Sequence, residues 1–182
     1  MTLTEGQKEQ WAKRQAVTFM LSHPGLTLRR SVIKFRDFWG LERELVAGIH
    51  RGLYQPPRLV AIGVMVSVVA TYVAVVLLAI IGAIVVPPKN IHGHALLISL
   101  VLFVTGIHTI VFGHSRYHLP LVPILCVYAG AALSAWWSAQ PVSRRSMLVP
   151  AVALNAAMVA LWIHEVFYVD SDRIRQLWQV LL

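Results

Sequence analysis

Hydrophobic and polar positions divide the chain near residue 58. From Leu59 to Val86 there are 28 residues without a charge. As a helix at ~1.5 Å per residue that run would reach roughly 42 Å, more than the roughly 30 Å of a bilayer's hydrocarbon core. A transmembrane helix with some tilt or an interfacial end is therefore expected over 59–86. Three further apolar runs follow: 95–113 with His108 near its end, 119–139 with Pro120 and Pro123 in its first turn, and 147–169 with Glu165 as its one charge. Each approaches the roughly 20 residues a spanning helix needs. Polar breaks separate them, at Pro87-Pro88-Lys89-Asn90, at His114–His118 and at Gln140–Arg145.

The first 58 residues follow another pattern. Thr4-Glu5-Gly6-Gln7 fits a capping box that starts a helix, and His23-Pro24-Gly25 ends it. Leu28, Val32, Phe35 and Trp39 then recur at helical spacing among Arg29, Arg30, Lys34 and Arg36, and Leu41, Leu45, Ile49 and Leu53 repeat every fourth residue. Basic helices with such a stripe lie in a membrane interface with their cations near phosphates. The alternative is a helical hairpin packed on the bundle. A short amphipathic segment is expected over 170–182.

Composition agrees. Hydrophobic residues are 57% of 182, charged residues 13%, against roughly 45–50% and about 25% in an average soluble domain. So little charge excludes a soluble globular enzyme and a disordered chain. Cys126 is the single cysteine, which excludes an intramolecular disulfide and a multi-thiolate zinc site. The net charge of +8 is concentrated, since residues 1–58 hold ten of the sixteen Lys and Arg. Anionic head groups are the expected partner. Nucleic acid is not, because Glu42 and Glu44 interrupt the basic run. The expected class is an all-α integral membrane protein, with four transmembrane helices preceded by interfacial amphipathic helices.

Candidate chemistry is sparse. His92, His94, His108, His114 and His118 flank or enter the second span, and imidazoles are common metal ligands. No carboxylate lies between Glu44 and Glu165, however, so a metal would need an all-histidine shell or acids distant in sequence. Histidines meeting polar contacts in interfacial loops are the simpler account, with His118 in a loop. Asp170-Ser171-Asp172 resembles the D-x-D of nucleotide-sugar glycosyltransferases, but acids capping a short helix are the simpler account. No metal site and no cofactor are expected. Gly63, Ser67 and Thr71, and again Gly130 and Ser134, form small-residue stripes that favour close helix contact, with Thr105 and Asn155 as interhelical hydrogen-bonding groups. No ladder of charges of the kind a proton pump uses is present.

One stretch carries more. In Gly113–Pro123 an arginine sits between two spans, where its planar fork can hold a phosphate, with Tyr117 beside it. An ordinary snorkelling arginine accounts for the spacing equally well. The pattern Arg116-Tyr117-x-x-Pro120-x-x-Pro123 resembles the late region of bacterial GT-C membrane glycosyltransferases, which include protein O-mannosyltransferases and lipid A aminoarabinose transferases. The segment from His23 through Arg29, Arg30 and Lys34 to Trp39 resembles the basic stretch before that family's last helices. The resemblance covers most of residues 18–165. It implies a multi-pass protein of the inner (cytoplasmic) membrane of a bacterium, and a polyprenyl-phosphate-linked sugar as donor. Arg116 and Tyr117, aided by Arg29, Arg30 and Lys34, would approach the donor's phosphate. The family's catalytic carboxylate, in an early loop, has no counterpart here. The expectation is thus a C-terminal portion of such an enzyme, inactive alone and without a catalytic residue of its own. The rival is a non-catalytic accessory subunit docking with other membrane protein subunits. The resemblance puts residues 1–58 and the Arg116 loop outside the cytoplasm and Arg144-Arg145 inside. The basic N-terminal third argues the reverse by the positive-inside rule.

Overall fold

The computed structural model describes residues 4–41, 48, 57–111, 113–138, 145–169 and 171, and every regular element among them is a helix. The N-terminal part holds α1 (Glu5–Ser22) and α2 (Pro24–Phe38). Thr4 donates its N–H to Gln7 Oε1 at 3.0 Å, which secures the start of α1. Pro24 opens α2, where its missing N–H costs nothing. Four longer elements follow: α3 (Arg58–Ile84), α4 (Ile91–Ile110), α5 (Val122–Trp137) and α6 (Leu148–His164). A 3-10 helix, Ser115–Leu121, leads into α5, and a π-helical turn, Glu165–Val169, extends α6. Arg58–Ile84, Ile91–Ile110, Arg116–Trp137 and Leu148–Val169 are long and apolar enough to cross a membrane.

Local chemistry moves the boundaries from those the charge pattern suggests. The second span begins at Ile91 rather than 95, because the Asn90 side chain accepts from the N–H groups of His92 and Gly93 at 3.0 and 3.1 Å. The third starts as a 3-10 helix, since neither Pro120 nor Pro123 has an N–H to close α-helical bonds. His118, expected in a loop, therefore lies on that helix and is 2% exposed. Leu45, Ile49, Leu53, Glu42, Glu44, Arg144, Asp170 and Asp172 lie outside the described residues.

The helices run alternately up and down. Tyr72 of α3 stacks on His118 at 4.8 Å, and ten residues further along both segments Gly82 abuts Tyr128, so α3 and α5 are parallel neighbours. The α4 helix runs in the opposite sense, packed on α2 and the 3-10 helix, with His94 at Tyr128 and His108 at Tyr117. One level of the bundle, the near end, thus gathers Tyr72 midway along α3, the close of α4, the 3-10 helix and the close of α6. The far end gathers the Pro87–Asn90 turn and the close of α5. Val76, Ala79, Leu121, Ile124, Leu125, Tyr128, Met158 and Trp162 form the core, and Phe38 and Trp39 from the end of α2 complete it.

The N-terminal stripe divides between the two expectations for it. Leu28 and Val32 are 66% and 61% exposed, and α1 buries no residue, as suits an interface. Phe38 and Trp39 are buried in the bundle, as suits packing on it. The small-residue stripes do not make the helix contacts expected of them. Gly63, Ser67 and Thr71 are exposed, as are Gly130 and Ser134. The buried face of α3 instead runs through Val76, Ala79 and Gly82. Thr105 Oγ1 and Asn155 Oδ1, expected to hydrogen-bond between helices, have no partner among the described residues.

At Gly82 the helices touch backbone to backbone. A Cβ there would overlap the carbonyl of Tyr128 and lie 3.3 Å from Ala132 N. Gly82→Ala should therefore destabilise the bundle by about 1–3 kcal/mol, the usual cost of overpacking. At Gly63 nothing lies within 4 Å of an added Cβ, so Gly63→Ala should be neutral or stabilising through helix propensity. Thermal unfolding of both variants in detergent checks this. Equal melting temperatures would show that Gly82 is not the tight contact.

Candidate functional site

The last turn of α2 enters the near end of the bundle, and its backbone meets side chains from three other elements. A helix C-terminus leaves carbonyls without intrahelical donors, and an apolar setting makes such orphans costly. Here they are met. His118 Nδ1 lies 2.9 Å from the Phe38 carbonyl. A carbonyl only accepts, so Nδ1 carries the ring proton. The Trp39 carbonyl accepts from Trp162 Nε1 at 2.8 Å and from Tyr72 Oη at 3.3 Å. Leu41 donates its N–H to Glu165 Oε2 at 3.0 Å. Glu165 is 1% exposed, and Gly40 makes room for it, since a Cβ there would fall 2.8 Å from Oε1. Phe38 is fully buried and stacks on His108 at 5.7 Å, and His108 stacks in turn on Tyr117 at 4.6 Å.

The residues singled out for a lipid phosphate lie around this knot, unequally. Tyr117 is half-buried on His108. Arg116 is exposed, with its Cζ 5.8 Å from the Tyr117 ring centroid. That distance suits a weak cation–π contact and leaves the fork open to solvent. Lys34 lies against the residues that precede the Arg116 loop. Its Nζ donates to the carbonyls of Ile110 and Val111 at 2.7 and 3.3 Å, so the ammonium closes the C-terminus of α4. Gly113 passes so close that a Cβ would come 2.5 Å from Lys34 Cα, which ties the Arg116 loop to α2. Arg30 sits over Phe19 of α1 at 5.2 Å. Arg29 is exposed on α2. Arg116 and Tyr117 are thus brought together, with Lys34 engaged at Ile110, Val111 and Gly113 just before them, whereas Arg30 turns towards α1.

Several residues at this end had no role in the sequence reading. Glu165 was noted only as the charge near the close of the last span. An ionisable residue in such a span is by default a candidate for function, and that was the available signal. Tyr72 and Trp162 give none, because their partner is a backbone carbonyl distant in sequence, and His118 stands out only as an imidazole expected to meet a polar contact. In this arrangement Glu165 accepts a backbone N–H and positions the chain after α2. Asp37 pairs with Arg36 at 2.9 Å. Among the described residues no three His, Cys, Asp or Glu side chains converge as a metal would require.

If the α2 carbonyls anchor the N-terminal helices, His118→Ala should loosen them. It removes one hydrogen bond, leaves the Phe38 carbonyl unmet and opens a cavity beside Tyr72. A loss of about 2–3 kcal/mol is expected. Limited trypsin digestion at Arg29 and Arg30 should quicken in this variant and stay unchanged in Arg116→Ala. Equal digestion in both would mean that α2 is held elsewhere.

In comparisons with protein-family models, with curated proteins and with solved structures, the chain finds no match.

Proposed function

We propose that the four long helices cross the inner membrane of a bacterium, and that the chain is the membrane-embedded C-terminal portion of a GT-C-like glycosyltransferase handling a polyprenyl-phosphate-linked sugar. The observation that carries the reading is Arg116. Its guanidinium is exposed at the end of an apolar helix beside Tyr117, with no ion pair among the described residues. A planar fork at head-group depth suits a lipid phosphate, because it can offer two parallel N–H donors to two phosphate oxygens.

The other cations support this role in different ways. Lys34 holds the loop that carries Arg116 and closes α4. Arg29 and Arg30, on an exposed helix, would meet phosphates of the bilayer surface. No residue is proposed for the chemical step. The carboxylate that such a transfer needs would come from a region with an early loop acid, so this portion binds the donor and is inactive alone.

The second reading, an accessory subunit without catalysis, draws on the outer faces of the spans. No residue of α4 is fully buried, so most of its perimeter is available to helices of another subunit or to lipid. Co-purification with a stoichiometric membrane complex that lacks transferase activity would favour it.

Two experiments test the proposal. Arg116→Ala, in the chain reconstituted in nanodiscs, should weaken binding of a polyprenyl-phosphate-linked sugar about tenfold or more, as for loss of a charge-assisted hydrogen bond. Unchanged affinity would remove Arg116 from the site. For topology, Lys89→Cys in a Cys126→Ala background should react with a membrane-impermeant thiol reagent only after the cytoplasmic face is opened. Labelling of intact cells would reverse the orientation.

A further inference from the structure

At the far end of the bundle, away from Arg116, a cavity of about 360 Å³ opens between the close of α3, the start of α4 and the flank of α5. Its volume falls within the roughly 300–1,000 Å³ of small-molecule sites. Lys89, His94, Tyr128 and Ser134 line it, and Val86 and Val127 supply apolar wall. Lys89 is exposed and has no hydrogen bond or ion pair among the described residues. Tyr128 Oη lies 2.9 Å from His94 Nδ1. When the phenol donates to Nδ1, the neutral ring carries its proton on Nε2, so the imidazole keeps a donor.

Charge selects the occupant. From residue 45 to 164 the sequence has no Asp or Glu, and among the described residues this end brings Lys89, His92 and His94. The Lys89 ammonium, exposed and with no carboxylate in the surrounding sequence, is open to an anion from outside the chain. The site combines a free cation, hydroxyl and imidazole groups, and an apolar flank beside helices long enough to span a bilayer. Phosphate attached to a hydrocarbon chain meets all of these, with its oxygens at Lys89 and its first methylenes along Val86 and Val127.

We infer that this cavity is a second lipid site, one that binds the phosphodiester head group of an anionic phospholipid through Lys89, His94 and Tyr128. The inference rests on the proposal that the helices cross a bilayer, and on no part of the transferase reading. It concerns the opposite end of the bundle from Arg116, so the two sites separate by mutation.

The test uses a photoreactive phosphatidylglycerol in nanodiscs of phosphatidylcholine, with cross-linked peptides mapped by mass spectrometry. Adducts are expected in residues 82–94 and 127–135. Lys89→Gln should lower their yield about tenfold, Lys89→Arg should restore it, and Arg116→Ala should leave it unchanged. Lys89 is exposed, so none of these changes threatens the fold. Three outcomes would overturn the assignment. An equal yield from photoreactive phosphatidylcholine would remove the preference for net negative charge. An unchanged yield in Lys89→Gln would remove the cation. Displacement by millimolar inorganic phosphate would identify a free-phosphate site with no use for the apolar wall.

Discussion

The end of α2 is the constraint on which the near half of the molecule depends. A helix terminus driven into an apolar bundle brings unmet carbonyls with it, each costing on the order of 1–3 kcal/mol if left without a donor. The chain solves this with donors from elsewhere. His118 comes from the 3-10 helix, Tyr72 from α3 and Trp162 from α6, while Glu165 takes the N–H that follows at Leu41. Each donor is held by the apolar packing it interrupts. Phe38 and Trp39 fill the space between them, so polar satisfaction and core packing are one event here. The N-terminal helices are consequently joined to the bundle through backbone groups, which no side-chain substitution on α2 removes.

Lys34 repeats the arrangement in reverse. There a side chain of α2 closes the carbonyl end of α4, while elsewhere side chains of the bundle close the carbonyl end of α2. Opposite partial charges meet at both places, as expected for a cation at a helix C-terminus. This reciprocity explains why Lys34, which reads in sequence as one more surface cation beside Arg29 and Arg30, behaves differently from them. Arg29 and Arg30 remain open to solvent or an aromatic ring, Arg36 pairs with Asp37, and Lys34 is committed to the fold.

Much of the architecture was legible in the sequence. Charge-free runs located all four long helices, because a span must be apolar over its whole length whatever its neighbours. The capping box at Thr4 and the break at His23-Pro24 were legible for the same reason, being local. What could not be read depends on distance in space. Nothing in the spacing of Gly63, Ser67 and Thr71 says that α3 presents Val76, Ala79 and Gly82 to α5 instead, since both sets repeat at helical intervals. His118 looked like a loop residue because two prolines follow it, and a 3-10 helix has no strong signature in sequence. Of the candidate site, the sequence located the Arg116 loop. It could not separate the open guanidinium of Arg116 from the engaged ammonium of Lys34, whose partners are carbonyls 76 and 77 residues away.

The π-helical turn that starts at Glu165 changes the phase of the last span. A π turn holds one residue more than the α turn it replaces, and so acts as an insertion tolerated within a helix. By Val169 the register is rotated by up to about a quarter of a turn from where α-helical counting would put it. Heptad or four-residue periodicity drawn through residues 148–169 as one register therefore assigns the wrong faces to its final part. Tyr168 and its neighbours belong to a different angular frame from Met158 and Trp162, although the chain between them never leaves a helix.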